Sequence, residues 1–303
     1  MTTGCHGRAL RRHGSATRGG GATPPSTVEP RVARRSASGQ DGPMQPAEAL
    51  KLLDRVAADI LAAVNEVTDR RARSDRPGQY QLDLVADGGA VATLTAAGLG
   101  VLSEESGRHH PERSLQVVLD PVDGSTNASR GLPWWATSAC ILDDEGPWVS
   151  LVRNQVLGTT YTAVRGGGAQ RDGQPMTPVA APLVDDSMAA INGTPVSHLG
   201  WKQFRSFGAA ALDVCAVAEG TLDLYLDATT TGNAQWDFLG GLLVLTEMGG
   251  VMLDAQDRPV VAVSPPERRQ PIVARSHEAA AEALRRARAS GWWRTPVRWD
   301  TSK

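Results

Sequence analysis

At 303 residues, 41% hydrophobic and 21% charged, the chain has the size and balance of a soluble globular protein with one large core or two smaller ones. A net charge of −2 gives no global attraction to nucleic acid. No apolar run reaches membrane-spanning length, and the N-terminus lacks the apolar core of a secretion signal, so no membrane partner is expected.

Residues 1–44 hold seven arginines against Glu29 and Asp41, a balance of +5 that leaves −7 on the remainder. They are rich in Gly, Arg, Ser and Pro without apolar period, and read as a disordered basic tail or an extension upstream of a start at Met44. The three cysteines, Cys5, Cys140 and Cys215, form neither a metal knuckle nor a Cys-x-x-Cys pair. Cys140 and Cys215 lie in apolar runs and read as buried; a reducing, cytoplasmic setting fits them.

Order begins at Pro46 to Leu61, where Leu50, Leu53, Ala57, Ile60, Leu61 and Val64 form one helical stripe. Pro77-Gly78 marks a turn, and Leu82 to Asp87 leads to a second helix near 88–98. Leu99 to Leu102 reads as a strand ending in SEESG, Gly107 to Arg113 as loop, and Leu115 to Leu119 as a strand. Further strands are expected at 136–142, 148–156 and 159–164, with shorter ones at 188–191 and 204–207. A helix is expected at 209–219, a strand at 222–226 and a helix at 237–248. Late strands at 251–253, 260–262 and 272–274 precede a last helix, 276–288. The mixture predicts an α+β or layered α/β fold.

The chemistry concentrates in acids at element boundaries: Asp83, Asp87, Glu104, Glu105, Asp120, Asp123 and Asp237. Each alone has a plain explanation as a solvated acid. Jointly they say more. Glu104 and Asp120 each follow an apolar strand, so if those strands are neighbours the carboxylates meet at one sheet edge. Crowded carboxylates repel unless a cation joins them, and a hard ion such as Mg²⁺ takes oxygen ligands. Clustered acids with two metals suit transfer of a phosphoryl group to water. Ser125 or Thr126 would orient that water, Asn127 reads as a cap, and Asp237 as the N-cap of its helix. The start of the 209–219 helix offers N–H groups to an anion. No P-loop, dinucleotide fingerprint, His-Glu-x-x-His or Gly-x-Ser-x-Gly motif occurs.

Three blocks then carry a resemblance: SEES (Ser103–Ser106), DPVDGSTN (Asp120–Asn127) and WDFLGGLLVLTEMGG (Trp236–Gly250). Their order and separation resemble the inositol monophosphatase-like family of magnesium-dependent, lithium-sensitive phosphatases, from about Met44 to the last helix. The resemblance implies a layered αβαβα sugar-phosphatase-type fold with mixed and antiparallel sheets. It implies an N-terminal α+β part, 45–180, carrying the metal-binding carboxylates, and a C-terminal α/β part, 181–303, completing the phosphate and substrate site.

It also implies two or three Mg²⁺ held by Glu104, Asp120, the Val122 carbonyl, Asp123 and Asp237, with Asp87 at a third position. Glu104, Asp120, Asp123, Ser125 and Asp237 would be catalytic, and Gly124, Ser125, Gly208, Ala209 and Asp227 would bind substrate. Ser125 replaces the family threonine, Leu84, Val85 and Ala86 supply no hydroxyl, and Arg76 is the nearest basic residue to the family's loop lysine. The implied substrate is a small phosphate monoester, inositol monophosphate or a related sugar-alcohol phosphate first. Histidinol phosphate and a 3′(2′),5′-bisphosphate nucleotide follow, and no basic cluster provides for a second phosphate. A homodimer is implied. The rival class is a catalytically silent ligand-binding homologue.

Overall fold

The computed structural model describes residues 44–263 and 266–293, so the expectation for the basic tail lies outside the described residues except at Met44. The first helix, α1 (Pro46–Glu66), opens with proline in its first turn, and Glu48 accepts from the Gln45 N–H at 3.1 Å. It buries Leu53, Val56, Ala57, Ile60 and Val64. The second helix, α2 (Gln81–Ala96), starts earlier than its sequence suggested. Asp83 accepts the Tyr80 N–H at 2.8 Å and closes the first turn, and burial of Leu82, Ala86, Ala90 and Leu94 outweighs the helix-weakening Gly88 and Gly89 on the exposed face.

The chain then builds β1 (Gly100–Ser103), β2 (Gly107–His109), β3 (Gln116–Asp123), helix α3 (Ser125–Arg130), β4 (Ala136–Asp143), β5 (Gly146–Asn154), β6 (Thr160–Val164), β7 (Gly168–Arg171) and β8 (Gln174–Pro175). One detail departs from expectation: part of the 107–113 loop is a strand, paired antiparallel with β1. DPVDG leads directly into the short helix α3 before the expected strand begins. These strands form an eight-stranded sheet ordered β2-β1-β3-β4-β5-β6-β7-β8, in which β1 and β3 run parallel.

The second half adds β9 (Met188–Asn192), β10 (Gln203–Arg205), α4 (Ala210–Glu219), β11 (Leu224–Asp227), α5 (Gln235–Glu247), β12 (Val251–Asp254), β13 (Pro271–Ala274) and α6 (His277–Ser290). Its sheet is ordered β10-β9-β11-β13-β12. The strand expected at 260–262 is absent; Val260 gives its carbonyl, and Ala262 its N–H, to the Gln235 side chain instead.

The layers follow from which faces are apolar. Helices α1 and α2 bury their stripes on one face of the larger sheet, against Val101, Val117, Leu119 and Leu151. Helices α4 and α5, apolar nearly all round, fill the space between the two sheets, with Cys140 and Cys215 in that core. Helix α6 covers the far face of the smaller sheet through Ala280, Ala283, Leu284 and Ala287. The result is the αβαβα stack. The Gly240-Gly241 pair in α5 permits the central contact: a Cβ at 240 would lie 2.7 Å from Ser138 Oγ, and one at 241 would lie 2.9 Å from Val214.

Candidate active site

Parallel pairing of β1 with β3 sets Ser103 opposite Leu119, and the Glu104 N–H donates to the Leu119 carbonyl at 3.1 Å. Glu104 and Asp120, the next residues on each strand, are thereby neighbours. Two lines of sequence ending in carboxylates become one site because their strands share a register. Asp237 reaches the same point from α5. Ligand oxygens of Glu104, Asp120 and Asp237 all lie within 4.8 Å of one another.

Asp123 arrives by a different device. Residues three apart in a regular strand face opposite sides. Between Asp120 and Asp123 the β3–β4 register shifts, with Asp120 opposite Ser138 but Asp123 opposite Ala136. Pro121 cannot donate to the ladder, and its carbonyl accepts from Thr137 Oγ1 at 2.9 Å. The bulge leaves both acids buried near one another, and, after burial and Glu104, the Asp123 charge helps raise the Asp120 carboxyl. Asp123 itself accepts from the Ala210 and Ala211 N–H groups, at 3.2 and 2.7 Å, at the start of α4. Part of the anion-binding helix end is thus satisfied from within.

The electrostatics call for cations. Burial first, then Asp237 and Glu105, push the Glu104 carboxyl up to about 8. Burial and the Glu104 charge hold Asp120 well above the carboxylate range, and burial raises Asp123 and Asp237. Three carboxylates that cannot all ionise alone form an oxygen-only donor set suited to a hard divalent ion. The Val122 carbonyl faces the same turn and accepts from Ser125 Oγ at 3.0 Å.

Other expected residues fall into place around this core. Gly124, at φ +91°, starts α3, and a Cβ there would meet the Gly208 carbonyl at 3.1 Å and Ala209 Cβ at 3.2 Å. The two segments expected to cradle phosphate therefore touch. Asn127 is more than a turn cap: its Nδ2 donates to the Trp134 and Phe207 carbonyls, each at 2.7 Å, tying the two segments together. Trp135 is core; Trp134 stacks on Phe207 and donates its indole N–H to Asp213 at 2.9 Å.

One placement differs from the sequence reading. Asp237 is not the N-cap of α5 but lies one turn inside, reaching back to accept the Ala234 N–H at 2.8 Å. Asp87 is buried and accepts from the hydroxyl of Ser103, the residue before Glu104. Asp227 is fully buried, with its carboxylate accepting from Thr229 N–H and Oγ1 at 3.0 Å each and from Asn192 at 3.2 Å.

Asp83, named only as a boundary acid, stands out in the structure. Burial pushes its carboxyl up to about 6 against the Tyr80 N–H and the nearby Ser125 hydroxyl, and its Oδ1 is buried without a partner among the described residues. Its signal was available as the third residue of a helix start, but the misplaced start of α2 hid it. Arg76 reaches the site's edge, pairing with Glu105 at 3.5 Å.

A family model described as the inositol monophosphatase family matches residues 50–291. The chain belongs to that family. It is thereby a metal-dependent phosphatase. Among this family's members, an inositol-1-monophosphatase of Mycolicibacterium smegmatis is 30% identical over 243 residues, 72% of this chain and 87% of that protein. A protein named Nus factor SuhB, from Salmonella typhimurium, is 31% identical over 169 residues, spanning 51% of this chain and 62% of its own length. The family fold is matched by the crystal structure of inositol monophosphatase-II from Staphylococcus aureus, with TM-score 0.65, 24% identity and coverage of 78% and 92%.

The raised carboxyls give a stability prediction with a definite sign. Glu104 and Asp213 sit at about 8, and Asp83 and Asp227 at about 6, all above unfolded values of about 4. The folded chain binds protons more tightly, so metal-free stability falls as pH rises from about 4 to about 8. Melting temperature in chelator is expected to drop across that window, and added Mg²⁺ is expected to restore it most at the upper end. A metal-free profile that rises with pH would contradict the charge crowding.

Proposed function

We propose that the protein hydrolyses a small phosphate monoester of a polyol or sugar in a Mg²⁺-dependent reaction. The observation that carries this is the convergence of Glu104, Asp120 and Asp237 within 4.8 Å, beside a hydroxyl and a helix start. These three acids would hold the cation, with Asp123 and the Val122 carbonyl completing the ligand set. When bound, such ions stabilise phosphate and leaving-oxygen charge and acidify water.

The chain's own groups divide the remaining work. The Gly208 and Ala209 amides, beside Gly124 and at the start of α4, bind the phosphate oxygens. Ser125 Oγ, fixed by its bond to the Val122 carbonyl, holds the attacking water. Asp83, with a carboxyl near 6 and a free oxygen, receives the proton. Burial of Asp120 and Asp123 keeps bulk water from screening this charge. Asp87, held by the hydroxyl of Ser103 next to Glu104, would serve a third cation position, and Asp227 shapes the 228–235 loop through its bonds to Thr229. The homodimer, the cytoplasmic location and the division at about residue 180 belong to the same proposal and rest on the family likeness.

The test is phosphate release from inositol 1-phosphate, histidinol phosphate, 3′-phosphoadenosine 5′-phosphate and fructose 1,6-bisphosphate, each with Mg²⁺ and with chelator. Mg²⁺-dependent release from at least one is expected. Release unaffected by chelator would reject the mechanism, and silence on all would favour the ligand-binding homologue.

A further inference from the structure

The sequence shows no basic cluster for a second anion, because the relevant residues are ordinary arginines in a late loop. Folding gathers three of them, Arg258, Arg268 and Arg269, at one cleft of about 350 Å³ walled also by Thr230, Thr231 and Gly232. Two are already neutralised. Arg258 donates to both oxygens of Asp254, at 2.7 and 3.0 Å, and buried Arg269 pairs with Glu267 at 2.9 Å. Arg268 is different. Its side chain is exposed, one nitrogen donates to the Gly232 carbonyl at 2.8 Å, and no acid lies within ion-pair distance among the described residues. A guanidinium has five N–H donors, so most of its fork is left for a ligand.

The position of this charge is fixed relative to the acids. Asn233 and Arg269 exchange backbone hydrogen bonds of 2.7 and 2.8 Å, and Asn233 Nδ2 donates to Asp237 Oδ2 at 3.1 Å. Tyr225 in turn donates to Asn233 Oδ1 at 2.7 Å. The crossing is so close that a Cβ on Gly232, at φ +74°, would lie 2.5 Å from the Arg269 carbonyl. The 228–235 loop thus ties the segment of Arg268 and Arg269 to Asp237, and, against the rise from burial, the Arg268 charge acts on the Asp237 carboxyl, lowering it.

We propose that Arg268, with the Thr230 and Thr231 side of the cleft, is a second anion subsite, and that the substrate is a phosphate monoester whose alcohol carries a second phosphate. This rests on the acid cluster being the hydrolytic centre. The arrangement fits a small bisphosphate better than a neutral polyol monophosphate. One phosphate would sit on the acids' metal side and the other would meet the exposed guanidinium, whose one bond within the chain, among the described residues, is to the Gly232 carbonyl.

The experiment compares a matched pair, fructose 1,6-bisphosphate and fructose 1-phosphate, on wild type, Arg268→Gln and Arg268→Lys with Mg²⁺. Wild type is expected to favour the bisphosphate in kcat/KM by about 10- to 100-fold, the worth of one charge-assisted contact. Arg268→Gln should erase most of that preference through KM, and Arg268→Lys should retain part of it. An unchanged preference in Arg268→Gln, or equal losses on both esters, would overturn the proposal and leave Arg268 a strut for Gly232. Turnover of p-nitrophenyl phosphate tests the hydrolytic centre separately. If that fails, calorimetric binding of the same pair with Ca²⁺ decides the subsite: tighter bisphosphate binding lost in Arg268→Gln supports it, and equal binding overturns it.

Discussion

Asp120→Asn is expected to lower kcat by at least about 10²- to 10³-fold, while raising the melting temperature of the metal-free protein. The opposite signs come from one cause. Asp120 is buried against Glu104, Asp123 and Asp237, and its charged form is disfavoured by burial and by each of them. Asparagine is nearly isosteric and keeps an oxygen for the Val122 N–H, which Asp120 Oδ1 accepts at 3.0 Å. The fold therefore loses a repulsive charge and little packing. The site loses the carboxylate at its centre, and with it the negative field that would hold a divalent ion between β1, β3 and α5. Mg²⁺ should then stabilise the variant far less than the wild type. A variant with near-normal turnover and magnesium response would remove Asp120 from the reaction.

Asp83→Asn is expected to lower kcat by about 10²-fold or more with a much smaller change in KM, the pattern of a lost proton acceptor. Asp83 sits in the first turn of α2, accepts the Tyr80 N–H at 2.8 Å through Oδ2, and leaves Oδ1 unpaired beside Ser125. Asparagine keeps the capping oxygen and removes the base. The sign with pH is also fixed. A base near 6 is active only when ionised, so wild-type turnover should rise with pH through about 6. That limb should flatten in Asp83→Asn. If Asp83→Asn lowers kcat and melting temperature together but leaves the pH limb intact, Asp83 is a helix cap and Ser125 works without it.

How much of this was legible in the chain depends on the range of the interaction. Periodicity located α1, α4, α5, α6 and most strands because each buries a simple face or run. The approach of Glu104 to Asp120 was legible as a condition, that two apolar strands be neighbours, and the parallel β1–β3 register meets it. The start of α2 was not legible, because its cap is Asp83 bonding back to Tyr80 and its glycines weaken the local signal. The bulge at Pro121 and Val122 was equally hidden: it exists only as a mismatch with β4. Long-range side-chain ties escaped for the same reason. Asn127 joins carbonyls at 134 and 207, and Arg268 meets the loop of Gly232 across 36 residues. Neither spacing has a period that a sequence pattern reveals. Trp134 and Asp213 are a further instance, linked across 79 residues.

The most direct measurement is phosphate release by wild type and Asp120→Asn side by side, on the best of the phosphate esters, as Mg²⁺ is titrated in and then removed with chelator. Wild-type release is expected to follow Mg²⁺ and stop in chelator, with Asp120→Asn folded and nearly inactive at every concentration. Equal release by both proteins, or wild-type release that persists in chelator, would contradict a metal-dependent centre built on Glu104, Asp120 and Asp237.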